Sequence, residues 1–400
     1  MALLPVDEAR ARILKGVKPL PHEPVALKDA LGRVLAKPLK ATRDQPPFDA
    51  SAMDGYAVRA ADAGEAPTRL KLIGSAPAGQ RFEGRLGRGE AVRIFTGAPL
   101  PPGADAIVIQ ENADLAGDEV TVRAPAVKGK HIRRRGLDFR RGETVIEAPL
   151  RLNPRMIGLS AAMNHAELPV HRKPSVAILA TGDELVSPGG SPAPDQIVTS
   201  NTSAISSLVR LWGAAPQDLG IARDTMAATA AAIARAEDAH VLVTTGGASV
   251  GEHDLVRQTL QALGFRIGFW KIAMRPGKPL MFATRGVQRV IGLPGNPVSA
   301  IICARLFLKP LIDRLLGLDE PDVLIEARLA SPLFRNDERQ DYLRARLGVD
   351  AAGRTTVTPF SVQDSSMQRL LASADALIVR PPRDPARKAG AKVKVLKLDF

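Results

Sequence analysis

Apolar side chains recur at helical spacing in Val6-Asp7-Glu8-Ala9-Arg10-Ala11-Arg12-Ile13-Leu14, and residues 27–35 repeat the pattern, so residues 6–37 read as helical or mixed. Between residues 44 and 142 the rhythm changes to short apolar runs punctuated by glycine and proline. Strands are predicted at 70–74, 91–95, 106–109 and 120–122. A helix returns at 153–159, where Pro154 suits the first helical position. The β-rich block thus reads as an insertion, residues 44–140, into a mixed helical domain made of residues 1–43 and 141–173.

From residue 174 to 318 strands and helices alternate. Strands are predicted at 175–180, 218–222, 240–243 and 289–292. Helices are predicted at 201–212, 226–237, 254–263 and 298–316, with Asp224 and Thr225 as candidate caps of the second. This alternation implies a mostly parallel sheet between helical layers, that is, a three-layer α/β domain. Residues 265–284 are extended instead. After residue 319 strands resume at 323–329, 342–347, 355–357, 376–379 and 392–398, and the turns between them suggest a small β-barrel or sandwich, with a C-terminal β-barrel the expected form. The expected fold class is α/β plus β, in several domains.

Composition narrows the function classes. A hydrophobic fraction of 45% and a charged fraction of 24% describe an ordinary globular chain. No run approaches ~18 consecutive apolar residues, which argues against a membrane-spanning helix. The first residues turn acidic at Asp7 and Glu8 without a basic flank, so a secretory signal is not expected and the expected location is cytoplasmic. Cys303 is the single cysteine, which excludes an intrachain disulfide and cysteine-based zinc, haem or iron–sulfur sites. The net charge of +13 favours anionic partners, although arginine enrichment can also be compositional background.

Ligands of open α/β sheets sit beyond the carboxyl ends of the strands. The loops there are Thr181-Gly182-Asp183-Glu184-Leu185, Arg223-Asp224-Thr225, the segment from Thr244 to Asp254, and Gly292-Leu293-Pro294-Gly295-Asn296-Pro297. Gly246 and Gly247 with Ser249 offer unobstructed N–H groups to an anion. Glu184, Asp224 and Asp254 supply hard oxygen donors suited to Mg²⁺. Lys271, Arg275 and Lys278 would face phosphate or oxyanion charge. Taken singly, the aspartates are helix caps and the glycines serve tight turns; four such loops at one sheet edge point to a site. A second constellation lies in the β-rich block: Asp49 to Ala57 with Asp54 in a turn, Thr96 at a strand end, and Asp138 close after Arg133-Arg134-Arg135. That basic run reads as a solvated strand or turn.

Five segments together carry a resemblance: Ser51-Ala52-Met53-Asp54-Gly55-Tyr56-Ala57, Thr181-Gly182-Asp183-Glu184-Leu185, Gly246-Gly247-Ala248-Ser249-Val250-Gly251-Glu252, Pro276-Gly277-Lys278-Pro279 and Gly292-Leu293-Pro294-Gly295-Asn296-Pro297. In this order they resemble the MoeA family of molybdopterin molybdenumtransferases, which includes the gephyrin E domain. The resemblance implies Mg²⁺-dependent insertion of molybdate into adenylylated molybdopterin with release of AMP. It also implies a homodimer whose cleft joins the α/β domain of one subunit to the β-rich domain of the other. The family's functional residues fall on Asp54, Thr96, Asp138, Glu184, Asp224, Asp254, Lys271, Arg275, Pro294 and Pro297. Arginine at 275 departs from the lysine expected in some members, and a planar fork is not an ammonium. Arg339, Arg344 and the turn Asp364-Ser365-Ser366 are further C-terminal candidates to reach the site.

Two other functions compete. A molybdopterin adenylyltransferase resembles residues 174–318, but that group tends to follow the Gly-Gly with Thr-Gly, where Ala248-Ser249 stands here; it is also a possible partner. A non-catalytic scaffold of the gephyrin type has no need of the acidic set. RNA binding driven by charge ranks last, since Tyr56 and Tyr342 are the only tyrosines to interleave with basic residues.

Overall fold

The computed structural model describes residues 3–246, 255–319, 321–398 and 400. The chain forms two compact units, one of Met1–Glu23 with His171–Phe400 and one of Pro24–Val170. Among the described residues no helix is long and apolar enough to cross a membrane.

In the first unit, four parallel strands build the sheet: Ala215–Ala222, Ser175–Thr181, Val241–Thr245 and Gln288–Leu293, side by side in that order. The three inner strands are largely apolar and buried on both faces, as with Val176 to Ala180, whereas the edge strand Ala215–Ala222 is mostly exposed up to Leu219. Met281–Arg285 and Arg266–Phe269 extend this sheet antiparallel, which accounts for the extended 265–284 pattern. Helices Met226–Ala234 and Leu255–Ala262 help cover one face with a core that includes Leu179, Leu242, Ile233 and Leu260. Thr225 caps the first of them, its hydroxyl accepting from the Ala228 N–H at 3.2 Å. The predicted 298–316 helix is continuous but changes pitch: a π-helical turn, Ala304–Leu308, joins Pro297–Cys303 to Lys309–Leu315.

Five C-terminal strands close into a barrel, because Gln340–Val349 pairs with both Thr355–Pro359 and Ala376–Arg380. Met274–Arg275 adds to the barrel in parallel, with Arg275 opposite Asp341. The barrel core includes Leu329, Ala345, Val357, Ile378 and Val395.

The second unit holds a curved six-stranded mixed sheet, from Ala106–Ile109 through Gly55–Val58, Glu90–Ile94, Thr68–Ala76 and Glu119–Val122 to Ala113–Ala116. A four-stranded sheet and the helix Pro154–Ala162, whose first turn is capped by Asn153, complete it. One expectation is corrected. Residues 27–35 are not a helix but one 3₁₀ turn, Leu27–Asp29, and a short strand, Val34–Leu35. Gly32, at φ +74°, breaks the helical repeat that the apolar spacing suggested.

Candidate functional site

The parallel strands end at Ala222, Thr181, Thr245 and Leu293, so their following loops gather at one sheet edge. Packing there is close. The Gly182 N–H donates to the Ala222 carbonyl at 3.3 Å, the Asp224 N–H donates to Asp183 Oδ1 at 3.3 Å, and Asn201 Nδ2 donates to the Gly295 carbonyl at 2.7 Å. Thr181 Oγ1 and Thr244 Oγ1 are buried here without a hydrogen-bond partner among the described residues.

A pocket of about 720 Å³ opens at this edge, lined by Glu184, Gly246, Arg275, Lys278, Pro294 and Arg339, with Asp364 and Ser365. Its size suits a small-molecule ligand. The structure therefore brings together Glu184, Gly246, Arg275, Lys278 and Pro294 from the sequence-derived set. The lining does not include Asp224, Lys271 or Pro297. Gly247, Ser249 and Asp254 lie outside the described residues.

The charged groups differ in how far they are committed. No hydrogen bond or ion pair engages the Glu184 carboxylate or the Lys278 ammonium among the described residues. The Arg275 guanidinium donates to Asp337 Oδ2 at 3.3 Å, to Asn336 Oδ1 at 3.4 Å and to the buried Asp341 carboxylate. Arg339 donates to Asp337 Oδ2 at 2.8 Å, and this contact holds the Asp337 carboxyl below the usual range. Burial pushes the Asp341 carboxyl up, against the pull of Arg275. None of these acidic partners was apparent from sequence; only the strand register reveals Asp341.

The loop carrying Asp364 is tied in from two sides. Arg344, almost wholly buried, donates to the carbonyls of Asp364 at 2.9 Å and Met367 at 3.2 Å. Asn296 Nδ2 donates to Ser365 Oγ at 2.8 Å, and the Val298 N–H to the Ser365 carbonyl at 3.1 Å. Arg344 thus supports the pocket wall rather than lining it.

In the second unit, Asp54 Oδ1 accepts from the Thr96 N–H at 2.7 Å and the Thr96 hydroxyl at 2.8 Å, and these two donors hold its carboxyl below the usual range. The basic run is not simply solvated. Arg134 pairs with Asp49 Oδ2 at 2.7 Å, and Arg135 pairs with Asp44. The Asp138 side chain is exposed and separate from these pairs.

Comparison with known proteins covers nearly the whole chain. Residues 4–164 match the family described as MoeA N-terminal region (domain I and II), residues 177–314 a probable molybdopterin binding domain, and residues 326–398 the MoeA C-terminal region (domain IV). The molybdopterin molybdenumtransferase of a Nostoc species is 36% identical over 388 residues, 94% of this chain and 88% of its own. That of Bacillus subtilis is 35% identical over 403 residues, 98% of this chain and 94% of its own. A crystal structure of a molybdopterin biosynthesis moeA protein from Pyrococcus horikoshii is similar with a TM-score of 0.86 and 31% identity, covering 100% of both chains.

Proposed function

We propose, because this chain belongs to the MoeA family of molybdopterin molybdenumtransferases of molybdenum cofactor biosynthesis, that it inserts molybdate into adenylylated molybdopterin and releases AMP in a Mg²⁺-dependent step. The observation that carries this reading is the strand-end pocket, where an unengaged carboxylate, Glu184, shares one space with Lys278, Arg275 and Arg339. Molybdate and an adenylate phosphate both present anionic oxygens, and charge-assisted hydrogen bonds from lysine and arginine suit both. Lys278 acts as a mobile point charge and Arg275 as a directional fork. Lys271, outside the pocket lining, would add positive charge to the surroundings of the site. Gly246 lets backbone approach the ligand closely, Pro294 and Pro297 stiffen the loop that opens the last helix of the α/β domain, and Gly247 and Ser249 of the same glycine motif are the further N–H donors to the anion in this reading.

Mg²⁺ usually takes one or two carboxylates and completes its shell with substrate phosphate oxygens and water. The donor chemistry fits: Glu184 and Asp224 stand on loops after neighbouring strands, and neither carboxylate is engaged among the described residues. No group of three His, Cys, Asp or Glu that could hold a metal occurs among those residues, so substrate oxygens would supply the rest. Asp254 is the third carboxylate of this reading. When bound, the ion would offset negative charge on the adenylate phosphate.

We further infer a homodimer in which the pocket meets the Asp54–Thr96 turn of a second copy, with Asp138 nearby. Its support is that the two polar constellations occur on separate compact units of one chain. The cytoplasm, where the pathway's soluble intermediates would be available, is the inferred location, and the adenylyltransferase that makes the adenylylated substrate is the inferred partner.

The test is direct. Purified protein incubated with adenylylated molybdopterin, molybdate and Mg²⁺ releases AMP, and chelation of the metal stops it. Glu184→Gln lowers the rate on the order of 10²-fold or more. Absence of AMP with the wild-type protein sinks the assignment.

A further inference from the structure

Arg275 is held from behind. Its backbone lies on a two-residue strand, Met274–Arg275, paired in parallel with Gln340–Asp341, so that Arg275 and Asp341 face each other across the pair. The Asp341 side chain is only 2% exposed and its carboxylate accepts from Arg275 Nη2. Its other oxygen, Oδ1, is buried with no hydrogen-bond partner among the described residues. A buried carboxylate is costly unless a cation compensates it. The other arginine opposite Asp341, Arg380 on the Ala376–Arg380 strand, is committed elsewhere: it donates to Asp384 Oδ2 at 2.9 Å and to the carbonyl of Pro385 at 2.9 Å. Among the described residues Arg275 is therefore the cation that hydrogen-bonds the Asp341 carboxylate, with Arg339 adding a weaker pull from nearby. Asp337 Oδ2 and Asn336 Oδ1 grip the same guanidinium from further along the loop.

We propose that Asp341 is a positioning residue. With Asp337 it fixes the Arg275 guanidinium in the pocket wall, so that the N–H donors left over meet the substrate oxyanion in one orientation. A guanidinium ordered before binding loses less side-chain freedom when the ligand arrives. The same grip offsets charge on Arg275, whereas Lys278 is the lining cation with no ion pair among the described residues. Arg275 then selects by direction and Lys278 attracts by charge. The inference rests on the reading of the pocket as an oxyanion site.

The test is a double-mutant cycle on the full chain. Binding of molybdate and of AMP is measured by titration calorimetry for wild type, Asp341→Asn, Arg275→Ala and the double variant, and AMP release is followed in parallel. Asp341→Asn weakens anion binding roughly threefold to tenfold, raises KM more than it lowers kcat, and has no further effect once Arg275 is alanine. Asp337→Asn, at a 41% exposed position, shows a smaller loss that shrinks once Arg275 is alanine, leaving only the part due to Arg339, and carries the test should Asp341→Asn fail to fold. Additive losses, unchanged affinity or tighter binding in Asp341→Asn overturn the proposal, as does a wild-type protein that binds neither anion. Anion binding without AMP release sinks the proposed reaction, while the binding cycle still decides the role of Asp341.

Discussion

At Gly246 the backbone takes φ +85°, and a Cβ built there would stand 2.4 Å from the Thr181 carbonyl oxygen. Both facts forbid a side chain, and they do so where the pocket meets two strand ends. Gly246→Ala is therefore expected to destabilise the protein by about 1–3 kcal/mol and to lower AMP release, which urea unfolding and the activity assay would read together; unchanged stability would refute the steric argument. Gly55 meets an even closer neighbour, since a Cβ there would lie 2.0 Å from the Val108 carbonyl oxygen. The motif around Asp54-Gly55 was visible in sequence as a turn. Its reason was not, because the crowding comes from a strand more than fifty residues further along. Arg275 teaches the same lesson for charge: sequence marked it as a cation facing phosphate or oxyanion charge, and three acceptors between Asn336 and Asp341 already hold it.

Elements were legible where burial is two-sided or periodic over several turns. The parallel strands announce themselves as apolar runs, and the helix Asn201–Leu211 as a stripe with Ile205, Leu208 and Val209 on its buried face. Short strands such as Leu39–Lys40 and Ala50–Ser51 carry too few residues to show alternation, and the segment 27–35 was misread for the same reason. In the barrel, what stabilises one end is a buried ion pair that no periodicity announces. Arg380 and Asp384 are 4% and 5% exposed, and Arg387 donates to Asp384 Oδ1 at 2.6 Å. Burial raises the Asp384 carboxyl, but Arg387 and Arg380 together hold it below the usual range. Removing one partner leaves an uncompensated charge. Asp384→Ala should cost about 3–5 kcal/mol, seen as a lower unfolding midpoint; a loss below 1 kcal/mol would show the pair to be dispensable.

At the scale of the whole molecule, the inferred shared cleft makes a prediction that a self-contained site does not. Glu184→Ala and Asp54→Ala proteins, each inactive alone, should regain activity when unfolded and refolded together. In a two-fold dimer, a mixed pair keeps one intact site, so random pairing restores about a quarter of wild-type AMP release. No recovery, with mixed dimers demonstrated, would assign both residues to one chain's own site. The net charge of +13 is partly reinterpreted at this scale. Arg134, Arg135, Arg275, Arg305, Arg380 and Arg387 are all paired with aspartates, so the formal excess says little about which cations remain for a ligand.

Local periodicity and motifs of a few adjacent residues are enough to read the element order of the α/β and barrel regions, the strand-end loops and the family. Which carboxylate holds which arginine, and which of the marked residues line one pocket, depends on how distant segments fold together. Asp341 and Arg275 are 66 positions apart. Their pairing follows from strand register, which is set by burial across the whole barrel rather than by any residue near them in the chain.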